Sequence, residues 1–405
     1  MNSVALVPYC PLPTDHGGKV EMWKNLETLR SLGDCTLLSA ATRPVGMGWT
    51  PVIRKEIEGL GYRVELREEL NPSRNWRQWM GLAYASFCKL FGLERAFGHS
   101  NPYHRHAFPK AWWQSRTNGA DLAVVNYSYW SWLPCRCPKV VVLLDLWSDF
   151  MWEGPRREIE DLKTAALVIV ISKTEEEKLN GWGIDRTFWS PPAVPAGDFS
   201  DTIEIGLLGS GSRVNAEGLE WLKEALSASS PRIRVYGSLA QNADHPAFVP
   251  YGRYEKQTKP YEECGIILMT TAQGMGVQIK TIEALAAGRA IIARPGAVRG
   301  LPPSRDAWIE TPTPQAMMDT ATELQNNSDL RHRQYGNARD YYRRFLESDM
   351  LLKSGCMLKT PIMISCPPPG RSPTSLCPPA LGCVSIPAFT QASRSPRTTT
   401  LSSQS

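Results

Sequence analysis

Residues 270–301 read TTAQGMGVQIKTIEALAAGRAIIARPGAVRGL and follow a short apolar run, Ile266 to Met269. That run has the length and composition of a strand buried on both faces. A loop with Gly274 and Gly276 comes next, and apolar residues then recur at helical spacing. A second apolar run, Ala290 to Ala293, follows the predicted helix. The stretch therefore predicts a strand, a glycine loop, a helix and a strand, which is the unit that builds a parallel sheet.

The glycine loop is a candidate site for a phosphate group. Free backbone N–H groups and the dipole at a helix N-terminus attract anions, and glycines let a ligand approach the backbone closely. Lys280 lies in the first turn of the predicted helix and Glu283 three residues later, so both side chains project from one face. Lys280 can contact phosphate, and Glu283 can accept hydrogen bonds from ribose hydroxyls. Considered alone, the same pattern also fits a surface lysine and a glutamate that caps the helix.

The first half of the chain repeats this alternation of short apolar runs and helical stretches. A helix is predicted at Lys19 to Leu32, because apolar residues recur there every three or four positions and Gly33 follows as a stop signal. Strands are predicted at Val4 to Val7, Cys35 to Ser39, Tyr62 to Leu66, Leu122 to Asn126, Val140 to Leu144 and Leu167 to Ile171.

A second series of the same kind follows a proline-rich break. Pro191 and Pro192 interrupt the pattern, because proline continues neither a helix nor a sheet ladder. We therefore predict an α/β fold with two doubly wound domains, at residues 1–189 and 202–350, joined by a linker at 190–201. A single large sheet is the alternative. The second series consists of strands at Thr202 to Leu208, Ile233 to Tyr236, Ile266 to Met269 and Ala290 to Ala293, with helices at Asn215 to Leu226, Val277 to Ala287 and Pro314 to Gln325.

The charge of the chain is unevenly distributed. The sequence has 45 Lys and Arg against 40 Asp and Glu. Beyond Asp349 there are five basic residues and no acidic one, so the residues before that point are neutral overall. A neutral body argues against nucleic acid as a partner, since binding to a phosphate backbone needs a net basic face. Residues 351–405 are rich in Pro, Ser and Thr without a hydrophobic period, and we expect a disordered tail there.

The cellular location of the protein is predicted from the length of its apolar runs and from its first residues. None approaches the roughly 18 to 20 residues that span a bilayer. The first residues, MNSVALVPY, place no basic residue before their short apolar run, unlike a signal peptide. We therefore expect a cytoplasmic protein. Contact with the inner face of the membrane stays open, because residues 75–98, NWRQWMGLAYASFCKLFGLERAFG, mix aromatic, aliphatic and basic residues at roughly helical spacing. Core aromatics, or a platform that stacks on sugar rings, would give the same pattern.

Residues 270–301 resemble the nucleotide-binding loop of family 4 glycosyltransferases, and the match is best with bacterial sugar transferases of the glycosyltransferase group 1 type. The resemblance extends along nearly all of residues 1–350. Residues 11–39, PLPTDHGGKVEMWKNLETLRSLGDCTLLS, are similar to the family's glycine-bearing first loop with the helix and strand that follow. Residues 170–183, VISKTEEEKLNGWG, and 205–226, IGLLGSGSRVNAEGLEWLKEAL, resemble the crossing into the second domain and its opening strand and loop.

The resemblance implies a GT-B fold, in which two Rossmann-like domains face each other across a cleft. It also implies a retaining glycosyltransferase, and more narrowly a hexosyltransferase, that moves a sugar from a nucleotide diphosphate sugar to a saccharide or lipid-linked acceptor, as in polysaccharide biosynthesis. It implies no metal and no cofactor, with the nucleotide sugar as the donor substrate. The sequence has no acidic pair of DxD type in a suitable loop, which agrees with the absence of a metal.

The first domain would contribute backbone dipoles to this site. The resemblance implies that Gly17 and Gly18 approach the donor diphosphate from across the cleft. His16, beside them, is a further candidate near the reaction centre, although a loop histidine that is merely solvated fits the sequence as well.

The second domain would contribute the cations. The resemblance implies that Arg213 and Lys280 stabilise the negative charge that develops on the leaving phosphate, a stabilisation that is stronger in the transition state than in the ground state. Gly274, Gly276 and Glu283 would bind the donor.

Residues 140–152, VVVLLDLWSDFMW, resemble the segment that delivers polar residues to the donor sugar. Relatives often have a histidine there, whereas a branch of bacterial sugar transferases has several Asp and a Ser. Asp145 is therefore expected to contact the donor sugar or an acceptor hydroxyl, and Asp149 is a further candidate. A helix N-cap at Ser148 or Asp149 is the structural alternative.

Two other functions are compatible with parts of the sequence. Met275 stands where many relatives have a glutamate, which together with the missing histidine leaves room for a catalytically impaired nucleotide-sugar binding protein of the same fold. Residues 206–212, GLLGSGS, resemble a dinucleotide fingerprint and suggest an oxidoreductase. That motif lacks its third glycine at the required spacing.

Overall fold

A computed structural model describes residues 1–14, 17–40, 48–67, 80, 83–84, 86–88, 90–93, 108–149, 154–192, 194, 196–197, 199–274 and 276–347. His16, Met275 and the tail expected at residues 351–405 lie outside these ranges.

The described strands form two parallel sheets, which confirms the expected α/β fold class and excludes a single large sheet. The first sheet consists of β1 (Asn2–Leu6), β2 (Asp34–Ser39), β3 (Arg63–Leu66), β4 (Leu122–Asn126), β5 (Lys139–Leu143), β6 (Leu167–Val170) and β7 (Thr187–Trp189). The second consists of β8 (Ile205–Leu208), β9 (Ile233–Tyr236), β10 (Phe248–Gly252), β11 (Ile266–Met269), β12 (Ala290–Ala293) and β13 (Ile309–Glu310).

Helices connect these strands. Within the described residues, no helix combines the length and the apolar character needed to pass through a membrane. The α-helices are α1 (Gly17–Ser31), α2 (Pro51–Gly59), α3 (Lys110–Thr117), α4 (Arg156–Leu162), α5 (Lys173–Gly181), α6 (Arg213–Lys223), α7 (Lys259–Glu263), α8 (Ile279–Ala286), α9 (Pro314–Asn326) and α10 (Ser328–Tyr341), and a π-helix, Tyr342–Glu347, continues α10.

The two sheets are wound in the same way. Their strand orders are β3-β2-β1-β4-β5-β6-β7 and β10-β9-β8-β11-β12-β13. In each sheet the order reverses beside the first strand, between β1 and β4 and between β8 and β11. Open parallel sheets bind ligands in the crevice that such a reversal leaves outside the carboxyl ends of the strands. The loops after β1, β8 and β11 are therefore where the fold places a ligand.

The core is packed on both faces of each sheet. All four residues of β11 have no exposed surface, as expected for a central strand covered by helices on both sides. One apolar cluster continues from the first half of the chain, with Leu26 and Leu37, through Ile171 to Ile282 and Ile291 of the second half. The two sheets thus share buried surface beside their facing loops.

The expected linker, residues 190–201, lies between the last strand of the first sheet and the first strand of the second. Its described residues at 190–192 form no regular structure, as the prolines there require. The domain bounds at 189 and 202 stay a prediction.

Candidate functional site

The loop between β11 and α8 needs its two glycines. Gly276 has a φ of +60° and Gly274 a φ of +137°, conformations that other residues rarely adopt. A Cβ atom at Gly276 would lie 2.9 Å from the carbonyl oxygen of Leu144 and 3.1 Å from Oδ1 of Asp145. A Cβ atom at Gly274 would lie 2.3 Å from Nη2 of Arg299. Gly276 thus brings the loop against the first half of the chain, and Gly274 leaves room for an arginine.

The loop after β1 approaches the same helix from the other side. Gly17 is the first residue of α1 and Gly18 the second. A Cβ atom at Gly17 would lie 2.6 Å from Cδ1 of Ile279, the first residue of α8. The N-termini of α1 and α8 therefore meet, and both expose free backbone N–H groups in this region.

Lys280 lies at the point where the second sheet reverses its strand order. Its Nζ donates hydrogen bonds to the carbonyl oxygen of Leu208 at 2.9 Å, to Oδ1 of Asn215 at 3.3 Å and to Oγ1 of Thr271 at 3.4 Å. Burial, with a smaller contribution from the positive charge of Arg299, lowers the pKa of Lys280 to about 8. Among the described residues, no carboxylate pairs with this ammonium group.

Arg213, the other cation expected from the sequence, is placed differently. It is the first residue of α6, and its side chain is exposed. The side chain of Arg213 forms no hydrogen bond or ion pair with any other residue that the structure describes. Asn215, two positions further along α6, accepts the hydrogen bond from Lys280. Arg213 thus shares a helix N-terminus with the Lys280 site without contacting Lys280.

Two protein side chains already use part of the hydrogen-bonding capacity of Glu283. Tyr261 donates a hydrogen bond from its hydroxyl to Oε2 of Glu283 at 2.6 Å, and Gln257 donates to Oε1. Burial raises the pKa of Glu283, while the hydrogen bonds from Tyr261 and Gln257 and the charge of Lys24 act in the opposite direction. Each carboxylate oxygen has two lone pairs, so capacity for ribose hydroxyls remains.

Asp145 follows β5 and faces the glycine loop. Burial raises its pKa to about 7, with Arg299 lowering it and Asp149 raising it further. Asp149 itself forms an ion pair with Lys178 of α5. The carboxylate of Asp149 is thus already paired with a lysine.

Two buried carboxylates that sequence reasoning missed hold the Asp145 loop in place. Glu158 of α4 accepts hydrogen bonds from the amides of Trp147 at 2.9 Å and Ser148 at 2.8 Å. Glu175 of α5 accepts one from the amide of Leu146 at 3.1 Å. The segment at 147–149 forms a 3₁₀ turn. The residues that follow, 150–153, lie outside the described ranges, so the N-cap role expected for Ser148 or Asp149 stays a prediction.

Arg299 is a further cation that the sequence analysis did not single out. Its Nη1 donates hydrogen bonds to the carbonyl oxygens of Thr271 at 3.2 Å and Gly296 at 3.1 Å. It follows β12, whose carboxyl end lies at the same edge of the sheet as that of β11. The position between Gly296 and Gly300, just past a buried strand, is the only sequence signal for it.

The structure thus collects Gly17, Gly274, Gly276, Lys280 and Asp145 around one loop. Glu283 lies one turn further along α8, and Arg213 stands at a neighbouring helix N-terminus. No group of three or more His, Cys, Asp or Glu side chains that could hold a metal ion occurs among the described residues. Metal independence stays a prediction.

The architecture is shared with solved glycosyltransferases. The chain is similar to HepE of Anabaena in complex with UDP, with 12% identity, a TM-score of 0.58, and coverage of 88% of this chain and 99% of HepE. A variant of TarM from S. aureus, in complex with Fondaparinux, α-GlcNAc-glycerol and UDP, has 11% identity, a TM-score of 0.58 and coverage of 88% and 99%. Sucrose-phosphate synthase from Thermosynechococcus elongatus has 15% identity, a TM-score of 0.56 and coverage of 88% and 98%. This likeness confirms the GT-B fold.

No model of a known protein family matches the chain, and no curated protein matches it in sequence.

Proposed function

We propose that the chain is a glycosyltransferase that moves a sugar from a nucleoside diphosphate sugar to an acceptor hydroxyl. The observation that carries this proposal is Lys280, a half-buried cation without a carboxylate partner among the described residues. It lies at the N-terminus of α8, beside the strand reversal of the second sheet. The fold supports the proposal, because HepE and TarM, which share it, have been solved with UDP.

The arrangement suits departure of a nucleoside diphosphate. In the transfer, the bond between the anomeric carbon and the β-phosphate oxygen breaks, and its electron pair stays on the phosphate. The acceptor oxygen forms the new bond to that carbon, and its proton passes to the leaving phosphate oxygen on the same face, which gives retention. Lys280 and the free amides at the start of α8 stabilise the developing charge, so they lower the barrier rather than only bind substrate.

The remaining residues have supporting roles in this proposal. Glu283 accepts hydrogen bonds from the ribose, and Gly17 and Gly18 present backbone amides to the diphosphate from the first sheet. Asp145 faces the sugar, where it accepts a hydrogen bond from a hydroxyl. Arg213 stands at the N-terminus of α6 and contributes positive potential. Membership of glycosyltransferase family 4, with neither metal nor cofactor and with a hexose as the sugar transferred, is part of the proposal.

The acceptor is a saccharide or a lipid-linked saccharide. For a lipid-linked acceptor the chain needs a surface that touches the membrane. Met80, Tyr84, Phe87 and Phe91 have the i, i+4, i+7, i+11 spacing of one helical face, and all four are exposed. We place the expected peripheral membrane contact on this exposed stripe of residues 80–93.

A donor screen on the full chain tests the proposal. The purified protein is incubated with UDP-, GDP-, ADP- and dTDP-sugars, and release of the nucleoside diphosphate is measured with and without saccharide acceptors. Lys280→Met should lower kcat by about 10²- to 10³-fold, the usual effect of removing one group that stabilises a developing anion. Lys55→Ala, at an exposed position of α2, is the matched control and should leave the rate unchanged.

The alternative, a catalytically impaired nucleotide-sugar binding protein, gives a different result in the same screen. It would bind a donor tightly while releasing no nucleotide above background. Binding of none of the nucleotide sugars would contradict both functions.

A further inference from the structure

Arg299 has an incomplete set of partners. Its Nη1 is satisfied by two carbonyl oxygens, those of Thr271 and Gly296. Its Nε is buried and has no hydrogen-bond partner within the described part of the chain. Its Nη2 faces Gly274, where any side chain would occupy the space beside the guanidinium. The arginine is therefore held through Nη1, and its Nη2 stays available to a ligand.

The charge of Arg299 is also uncompensated at close range. Burial lowers the pKa of this guanidinium, and the main opposing influence is the carboxylate of Asp145. No ion pair within 4 Å joins Arg299 to any carboxylate in the described ranges, Asp145 included. Arg299 is half-buried, and a charge that has lost part of its water and has no direct partner is stabilised when a ligand completes its surroundings.

The position of Arg299 shows which ligand would do so. It braces the loop that starts at Thr271 and precedes α8, and it lies close enough to Lys280 to lower the pKa of that lysine. Two cations and a set of free amides thus converge on one loop, and their natural ligand is an anion with several oxygens. The side chain of Arg213, in contrast, is exposed and forms no hydrogen bond or ion pair with the described residues.

We propose that Arg299 binds the β-phosphate of the donor diphosphate and is the second cation of the site beside Lys280, in the role that the sequence assigns to Arg213. This inference rests on the proposed function. The guanidinium offers Nη2 to the phosphate, while its hydrogen bonds through Nη1 keep it oriented before the donor arrives. Such preorganisation makes the interaction effective on the charge that develops as the sugar leaves.

The test compares UDP with UMP, because only UDP carries a β-phosphate. Dissociation constants are measured by calorimetry on the full chain for wild type, Arg299→Gln, Arg299→Lys and Arg213→Gln. Arg305→Gln, at an exposed arginine between β12 and β13, is the matched control. If another nucleoside diphosphate binds the wild type more tightly, it and its monophosphate replace this pair.

Arg299→Gln should weaken UDP binding by about tenfold or more, since a charge-assisted hydrogen bond to phosphate is lost, and UMP binding by less than about twofold. Arg299→Lys should be intermediate, because it keeps the charge and loses the planar fork. Arg213→Gln and Arg305→Gln should affect UDP and UMP alike and weakly.

Three outcomes would overturn the inference. If Arg299→Gln weakened the binding of UDP and UMP equally, Arg299 would only brace the loop. Thermal unfolding of the variants would then show how much stability the brace contributes. A loss confined to UDP in Arg213→Gln, with none in Arg299→Gln, would return the role to Arg213. Failure of the wild type to bind any nucleoside diphosphate would defeat the proposed function and this inference together, whereas the first two outcomes leave the proposed function standing.

Discussion

We expect Lys280 to make nucleotide binding depend on pH. Its pKa is lowered to about 8, so the free protein carries the charge below pH 8 and loses it above. An anion binds the charged form, so the affinity for a nucleoside diphosphate should depend on the charge of Lys280. It should fall above pH 8, by a factor that approaches about ten for each pH unit. Calorimetry with UDP in the wild type and in Lys280→Met measures this.

Lys280→Met should bind UDP weakly, and its affinity should not decline above pH 8. A wild-type affinity that stays constant from pH 7 to pH 9.5 would show that Lys280 does not contact the nucleotide.

The buried carboxyl group of Glu175 makes stability depend on pH in the opposite sense to an ion pair. Burial, followed by the charge of Asp145, raises the pKa of Glu175 to about 8, whereas the unfolded chain ionises near pH 4.5. Between these values the folded state holds a proton that the unfolded state has lost, so the free energy of unfolding falls as pH rises from about 4.5 to about 8. Glu175→Gln removes this effect and keeps an oxygen for the amide of Leu146.

The variant should therefore melt roughly 2–4 °C higher than wild type at pH 8.5 for each kcal/mol relieved, with a much smaller gain at pH 5. Thermal unfolding at the two pH values measures the difference. If the variant were less stable than wild type at pH 8.5, the raised pKa of Glu175 would be contradicted.

At the residue scale the sequence identifies the groups that belong to a motif and misses those that depend on packing. Lys280 and Gly276 could be predicted because a strand, a glycine loop and a helix follow one another directly. Arg299, Glu158 and Glu175 could not be identified, because charged residues are usually exposed and only the folded chain shows that the two glutamates are buried and Arg299 half-buried.

The central strands could be predicted almost to the residue, because burial on both faces gives them unbroken apolar runs. Leu122–Asn126 and Ile233–Tyr236 have the predicted bounds, and the predicted strand at Thr202 to Leu208 is shorter, at Ile205–Leu208. The strands that the sequence analysis missed, β7, β10 and β13, lie at or next to sheet edges and are short or polar. Pro250 within β10 is tolerated only because an edge strand needs fewer ladder bonds.

Two glycines should respond oppositely to the same change. Gly336 is exposed within α10, and a Cβ atom there meets nothing within 4 Å. Gly336→Ala should therefore raise the free energy of unfolding by about 0.5–1 kcal/mol, because alanine restricts the unfolded chain and favours the helix. Gly276→Ala should lower stability by about 1 kcal/mol or more, because its φ is +60° and its Cβ would lie 2.9 Å from a backbone oxygen. Denaturant unfolding measures both.

Gly276→Ala should also reduce donor binding, while Gly336→Ala should leave it unchanged. Equal stability of the two variants would mean that the glycine loop does not pack against the first sheet as described.

The described part of the chain contains two parallel sheets with the same kind of strand order. This repeat could be predicted from the alternation of apolar runs and helical stretches. Which loops face each other could not, because apolar spacing does not encode contacts between distant parts of the chain. The resemblance to glycosyltransferases supplied that expectation, and Gly17 against Ile279 and Gly276 against Leu144 are the contacts that join the facing loops. The domain bounds remain a prediction.

The exposed apolar stripe predicts a membrane contact of the whole molecule. Phe87 and Phe91 are 53% and 60% exposed, and their rings lie 4.5 Å apart. The full chain should co-sediment with vesicles that contain anionic phosphatidylglycerol. The double variant Phe87→Ser with Phe91→Ser should bind the vesicles at least about tenfold more weakly than wild type, since two aromatic rings no longer enter the lipid. Val52→Ser, at an exposed position of α2, is the matched control.

Equal sedimentation of wild type and double variant would remove the stripe as a membrane contact. A change in the oligomeric state of the double variant would instead assign the stripe to a second copy of the chain.

A crystal structure of the full chain with UDP, or with the nucleoside diphosphate that binds most tightly, would show whether Lys280 and the glycine loop hold the donor phosphates. We expect the β-phosphate within about 3 Å of Nζ of Lys280 and of the free amides at the start of α8, with the N-terminus of α1 on its opposite side. A nucleotide bound away from the glycine loop, with Lys280 still bonded only to Leu208, Asn215 and Thr271, would contradict the proposed site.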